Sequence, residues 1–246
     1  MNNSFSRIIT LSVRNIKETL RDPLSIMFTI MLPLAMEILF YLIFHSLTPQ
    51  FEMKYLAPGI VVFSQSFLSL FVGLLLTVDR STSFLTRLFV TKSKSYEFIF
   101  SYAISILPLI FIQSILFFLV GGIFDSSLFS INIIYAILLS IVTSLFYIGA
   151  GLLLGTICNE KSIGGVASII IAGQSVLSGM WFPIEGLSKG MLTFMEVLPF
   201  RNATLLIQNT VIGINDFTKP LLIVLGYTIL IFVIAIVLFK SKMKSK

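Results

Sequence analysis

The chain has 246 residues, of which 57% are hydrophobic and 11% charged, with a mean hydropathy of +1.02. A water-soluble domain carries about a quarter charged residues, so a core folded in water is excluded and a bilayer is the expected solvent. The net charge of +6 lies beside hydrophobic runs, where it reads as a topology determinant facing anionic headgroups and not as a nucleic-acid surface.

Residues 4–21 have helical periodicity. Phe5, Ile8, Ile9, Val13, Ile16 and Leu20 share one arc, while Arg7, Thr10, Arg14, Lys17, Glu18 and Arg21 share the other, with Leu11 the exception. This pattern predicts an amphipathic helix lying in a membrane interface. Asp22 is the predicted N-cap of the next helix and Pro23 its first residue, so the chain turns there from lying along the membrane to crossing it. The first apolar run is preceded by mostly polar residues and is followed by His45-Ser46-Leu47-Thr48, which lacks a small-residue cleavage pattern. The expectation is an uncleaved first span.

A spanning helix needs about 20 predominantly apolar residues. Six runs qualify, at 24–44, 59–78, 98–122, 131–157, 163–182 and 220–239. The fourth and fifth are parted only by Cys158-Asn159-Glu160-Lys161, a tight charged turn. Of the 17 Lys and Arg, the N-terminal stretch, the loop after the second span, this turn and the tail hold all but Lys54, Lys189, Arg201 and Lys219. The positive-inside rule therefore places both termini in the cytoplasm of a multi-pass protein of the cell membrane.

Between the second and third runs, residues 79–97 are too long for a simple turn. Phe84, Leu85, Leu88 and Phe89 have the spacing of one helix face, which suits docking to a protein partner or lying on lipid headgroups. The segment 183–218 faces outward but is rich in Met, Leu and Phe and is interrupted by Pro183 and Pro199. It predicts one or two short helices dipping back into the outer leaflet.

Enzymatic chemistry has little to work with. There is no phosphate-binding Gly-x-x-x-x-Gly-Lys-Ser/Thr loop, no Gly-x-Ser-x-Gly elbow and no His-Glu-x-x-His motif. A single Cys (Cys158) excludes a disulfide framework, and a single His (His45) at the end of the first span reads as interfacial. Glu37 is the acidic residue deep within a span; it lines a translocation path or a helix interface, or is hydrogen-bonded to a neighbouring helix. Gln65, Gln113 and Gln174 are candidates for the same roles. Gly151-x-x-x-Gly155 is a helix-packing signal, and no internal repeat relates the two halves, which lowers the case for an inverted-repeat carrier.

Taken together these stretches resemble the membrane subunit of type-2 ABC exporters. Arg14-Asn15-Ile16-Lys17-Glu18-Thr19-Leu20-Arg21-Asp22-Pro23 is similar to that family's elbow helix and its Arg-Asp-Pro entry into the first span. Asp79 to Thr91 resembles its arginine-containing coupling segment. Leu177-Ser178-Gly179-Met180-Trp181-Phe182-Pro183, followed by Leu198-Pro199-Phe200, is similar to its Ser-Gly-x-x-Phe-Pro and Leu-Pro signature.

The resemblance implies an all-α membrane protein in one permease domain: an elbow helix over 1–22, five spans over 23–182, a re-entrant segment over 183–218, and the sixth span with a basic tail over 219–246. It implies no catalysis by this chain, with ATP and Mg bound by a partner ABC ATPase present in two copies, and a second permease copy, identical or closely related. Arg80, Phe84, Leu85, Arg87 and Leu88 would couple to the ATPase. Arg14, Lys17, Arg21, Asp22 and Pro23 would form the elbow, and Ser178, Gly179, Phe182, Pro183 and Pro199 the re-entrant motif. The first, second and fifth spans would line the substrate path; separately, the large hydrophobic fraction and the few polar groups in the spans suit an amphipathic or lipophilic cargo such as a drug, an antimicrobial peptide or a lipid. A stand-alone secondary transporter or channel is the alternative.

Overall fold

The computed structural model describes residues 4–82, 94–182, 184, 186–214 and 216–244. Among these the chain is helical throughout, with no strand. Helix α1 (Ser4–Arg21) ends where the Asp22 side chain accepts hydrogen bonds from the amides of Leu24 and Ser25, at 3.2 and 3.3 Å, so it caps the following helix as its position predicts. Pro23 occupies the first turn of that helix, where its missing N–H costs nothing.

Helix α2 (Pro23–Phe44) widens into a π-turn over Met27–Met31. Pro33 lies just beyond and offers no N–H to the turn before it, which accounts for the local loosening. Helix α3 (Met53–Ser81) is the most deeply buried long helix and contains an offset at Phe67, whose amide bonds the Ser64 carbonyl. Helices α4 (Ser95–Phe124) and α5 (Asn132–Ile157) follow, then α6 (Glu160–Leu177), the short α7 (Lys189–Val197) and α8 (Pro199–Ile212), and α9 (Thr218–Lys244).

Five of these helices, α2, α3, α4, α5 and α9, are long and apolar enough to cross a membrane. The run expected at 163–182 differs. Its helix starts earlier, at Glu160, and stops at Leu177, because Ser178 is its C-cap and Gly179 follows with a left-handed φ of 74°. With Glu160 and Lys161 in its first turn and Gln174 further on, α6 is shorter and more polar than the other five. The region predicted to hold one or two short helices contains two, α7 and α8, parted at Leu198-Pro199. Asn202 holds that corner, its amide donating to the carbonyls of Glu196 and Leu198, both at 2.7 Å.

The centre of the bundle is set by a close crossing of α3 and α5. A Cβ placed on Gly151 would lie 2.8 Å from the Ser69 carbonyl oxygen, and one on Gly155 would lie 2.7 Å from that of Gly73. The backbones approach too closely for a side chain to fit between them, and three glycines leave that space empty. This is the close approach that the Gly-x-x-x-Gly spacing of α5 allows, with Gly73 as its counterpart on α3.

Gly155→Leu should therefore lower the melting temperature of the purified protein, on the scale of the about 1–3 kcal/mol that overpacking costs. Gly164→Leu on α6, where an added Cβ meets nothing within 4 Å, should leave it unchanged. Thermal unfolding of both variants in one lipid checks the contrast.

Candidate functional site

Charged side chains converge where α1 lies across the ends of α3 and α4. The amphipathic helix is oriented so that part of its polar arc, Arg7, Arg14 and Glu18, is turned toward protein, while Thr10, Lys17 and Arg21 stay exposed. Phe5, Ile9, Val13 and Leu20 remain exposed, whereas Ser12 and Asn15 are buried. Three contacts tie this polar side down.

Near the start of α1, the Arg7 guanidinium forks onto Glu97, with Nε at 2.9 Å from Oε2 and Nη2 at 2.6 Å from Oε1. Glu97 is fully buried and also accepts the Lys94 amide at 3.1 Å, so it caps the start of α4 while holding α1. One turn on, Ser12 Oγ donates to the Ser101 carbonyl at 3.0 Å. Arg14 then forks onto Asp79, Nη1 to Oδ2 at 2.5 Å and Nη2 to Oδ1 at 2.6 Å. The Tyr102 hydroxyl donates to the same carboxylate, and Glu18 pairs with Arg14 from the far side at 2.6 Å. Asp79 is 2% exposed, so this is a buried carboxylate answered by two donors from two other helices. Lys17 and Arg21 lie on the exposed side of α1.

Arg80, next to Asp79, turns the other way. Its Nη1 donates to the carbonyls of Gly155 at 2.5 Å and Cys158 at 3.2 Å, which are orphan acceptors at the C-terminal end of α5. Ser81 donates to Glu160 at the start of α6. Arg80 thus bonds the α5–α6 corner of its own chain. The remaining expected coupling residues, Phe84, Leu85, Arg87 and Leu88, lie outside the described residues, as does Pro183.

The buried amides serve contacts between helices. Gln65 donates to the Ser140 carbonyl at 2.9 Å and accepts from Thr143 at 2.8 Å, bridging α3 and α5. Gln113 donates to Ser64 Oγ at 3.0 Å. Gln174 accepts from Tyr147 at 2.5 Å and donates to Thr204 at 2.9 Å, linking α6 to α5 and α8. Glu37 differs from them: it is fully buried, and neither carboxyl oxygen has a hydrogen-bond partner among the described residues. It faces the space left by Gly121, where an added Cβ would lie 3.2 Å from Oε1. An ionised carboxylate in such a setting costs at least a few kcal/mol.

At the opposite end of the bundle, the Ser178–Phe182 stretch folds back onto α2 and α3. Ser178 Oγ accepts the Met180 amide at 3.2 Å, and Met180 is buried against Gly59. The Trp181 ring lies 4.9 Å from Phe40 and 5.6 Å from Phe63, edge to face in both cases. Phe182 is half exposed, and Pro199 opens α8. Among the described residues no group of three His, Cys, Asp or Glu is placed to hold a metal ion.

Of this network the sequence singles out Arg14; Lys17 and Arg21, singled out with it, lie outside the network, and Arg7 is placed only on the polar arc of its helix. Asp79, Glu97 and Tyr102 were not singled out as partners of Arg7 and Arg14. The available signal was two carboxylates standing at the ends of apolar runs, where a bare charge needs a partner.

Arg14→Met should strand the Asp79 charge, and breaking a buried pair costs about 3–5 kcal/mol. Adding Asp79→Asn, which removes that charge, should restore a substantial part of the loss. Unfolding of the single and double variants in the same lipid measures both.

Comparison with known families gives a match to the ABC-2 type transporter model over residues 6–211. No curated protein matches the chain.

Proposed function

The chain belongs to the ABC-2 type transporter family, and on that premise we propose that it is the membrane-spanning subunit of an ATP-driven exporter. It moves an amphipathic or lipophilic substrate, such as a drug, an antimicrobial peptide or a lipid, outward across the cell membrane by alternating access. A separate ABC ATPase, in two copies, binds ATP and Mg. The absence of a Gly-x-x-x-x-Gly-Lys-Ser/Thr loop from the sequence supports a nucleotide site on another chain.

The observation that carries this reading is the double fork of α1 onto α3 and α4, Arg14 to Asp79 and Arg7 to Glu97. Residues 83–93 connect these same two helices. A push on that connection by an ATPase reaches α3 and α4 directly, and α1 moves with them because buried charge pairs resist separation. In this reading α1 is the elbow, and Asp79 to Thr91 is the coupling segment, with Arg80, Phe84, Leu85, Arg87 and Leu88 as its coupling residues. Arg80 contributes indirectly, by joining the end of α3 to the α5–α6 corner.

Helix α6 serves as the sixth crossing. Its 18 residues reach about 27 Å at 1.5 Å per residue, close to the about 30 Å of a hydrocarbon core. Six crossings return the basic tail to the side of the basic α1, in the cytoplasm, in keeping with the distribution of Lys and Arg. Helices α7 and α8 then form the re-entrant segment on the outer side. Large apolar side chains exposed on α2, among them Met31, Leu39 and Leu42, and on α6, Ile169 and Val176, support pairing with a second copy across a shared path.

One observation favours the alternative of a stand-alone carrier: Glu37, which has no hydrogen-bond partner among the described residues, is a group suited to carrying a proton. Inside-out vesicles separate the two readings. With the partner ATPase present, uptake should require ATP and vanish when the ATPase's phosphate-loop lysine is replaced. The chain alone should move nothing, and uptake driven by a proton gradient without ATP would overturn the exporter reading. Glu37→Gln should leave ATP-driven uptake within about twofold if the carboxyl only fills the space beside Gly121.

A further inference from the structure

Behind α1 lies a cavity of about 320 Å³, roofed by the last two turns of α1 and the start of α2 and floored by the end of α3. This is the low end of the range for small-molecule sites. Its floor is apolar, formed by Phe71, Leu74, Leu75 and Val78, and its rim is charged, with Arg14 set against Glu18, Asp22 and Asp79. The rim is therefore acidic, on a face of the protein whose exposed charge is basic, with Lys17 and Arg21 on the outside of the same helix.

Most of the acidic oxygens are already engaged. Asp79 is held by Arg14 and Tyr102, and Asp22 by the first amides of α2 and by Ser25 Oγ at 2.5 Å. Glu18, whose side chain is 39% exposed, gives Oε1 to Arg14, while its Oε2 is turned in and has no hydrogen-bond partner among the described residues. Burial raises the Glu18 pKa above the usual carboxylate range, so its ionised form gains from a nearby cation. Phe71, whose ring stands 6.3 Å from that of Phe28, adds an aromatic ring to the apolar floor.

We infer that this cavity binds a cationic amphiphile: an organic ammonium or phosphonium centre against Glu18, with its apolar body on Phe71, Leu74, Leu75 and Val78. The requirement for an apolar body follows from the floor, and the sign of the charge follows from the rim. The inference deepens the exporter reading by giving the substrate class, and rests on it only for the fate of the bound cation.

The test uses the full chain in phosphatidylglycerol nanodiscs without nucleotide or ATPase. The probes are tetraphenylphosphonium and tetraphenylborate, nearly the same shape with opposite charge. Radiolabelled tetraphenylphosphonium should bind saturably, and Glu18→Gln should weaken it about tenfold, while Glu18→Asp keeps more of it. Leu74→Trp, which fills the cavity and leaves every charge in place, should abolish binding and serves as the second variant if Glu18→Gln elutes as aggregate. Unchanged affinity in Glu18→Gln and Leu74→Trp would overturn the proposal, as would saturable tetraphenylborate binding lost in the same variants. Displacement of the probe by added phosphatidylethanolamine assigns the ammonium to a lipid headgroup, and its retention assigns it to a free cation. A chain that binds the probe but never transports sinks the exporter reading alone; one that transports without binding here sinks this one alone.

Discussion

The carboxylate of Asp79 is the point around which one end of this molecule is organised. It stands on α3 beside an apolar helical core, where an unanswered charge is costly, and two other helices each send a donor to it. Satisfying it fixes α1 against α3 through Arg14 and fixes α4 against α3 through Tyr102. Once those are in place the Arg7 fork to Glu97 and the Ser12 contact to Ser101 fall into register along the same side of α1. The orientation of α1 follows from this requirement. Arg7 and Arg14 are drawn inward to meet buried acids, and the apolar residues Phe5, Ile9, Val13 and Leu20 are left facing out, the reverse of a surface helix in water and an arrangement suited to lipid.

Further along the bundle the same requirement is met without charge. Gln65, Gln113 and Gln174 each find partners on a neighbouring helix, mostly hydroxyls of Ser, Thr and Tyr. At the crossing of α3 and α5, glycines let the main chains approach closely, and Gln65 adds hydrogen bonds between the same two helices. Dispersion and interhelical hydrogen bonds have to hold helices together in lipid, which offers no hydrophobic gain on association, and both are present here. Glu37 breaks the pattern, as a carboxyl with a neighbouring space and no partner among the described residues.

Much of the fold was legible because helices in a membrane advertise themselves by length. The runs starting near Leu24, Phe98 and Ile131 appear as helices with ends moved by a few residues, since caps such as Asp22 carry their own signal. The apolar run that ends at Phe182 extends beyond its helix, which stops at Leu177. Its apolar character continues past Leu177, but Gly179 takes a left-handed turn that hydropathy does not register. Gly151 and Gly155 are legible as a packing pair, whereas Gly73 is less so, because its companion four residues earlier is Ser69 and not a second glycine. The site was half legible. Arg14 stands out as a cation on an amphipathic helix, but its pairing with Asp79, 65 positions away, depends on tertiary placement that no local pattern encodes.

The packing of Trp181 has a practical side. The sequence has one tryptophan and one cysteine, and they lie near opposite ends of α6, Trp181 just past its last turn and Cys158 just before its first. Trp181 is enclosed by rings from α2 and α3, while Cys158 is partly exposed at the α5–α6 corner. The natural chain thus carries a built-in donor of intrinsic fluorescence and one attachment point for an acceptor dye, separated by a helix about 27 Å long. Its motions during a transport cycle are open to optical measurement without a single residue being changed.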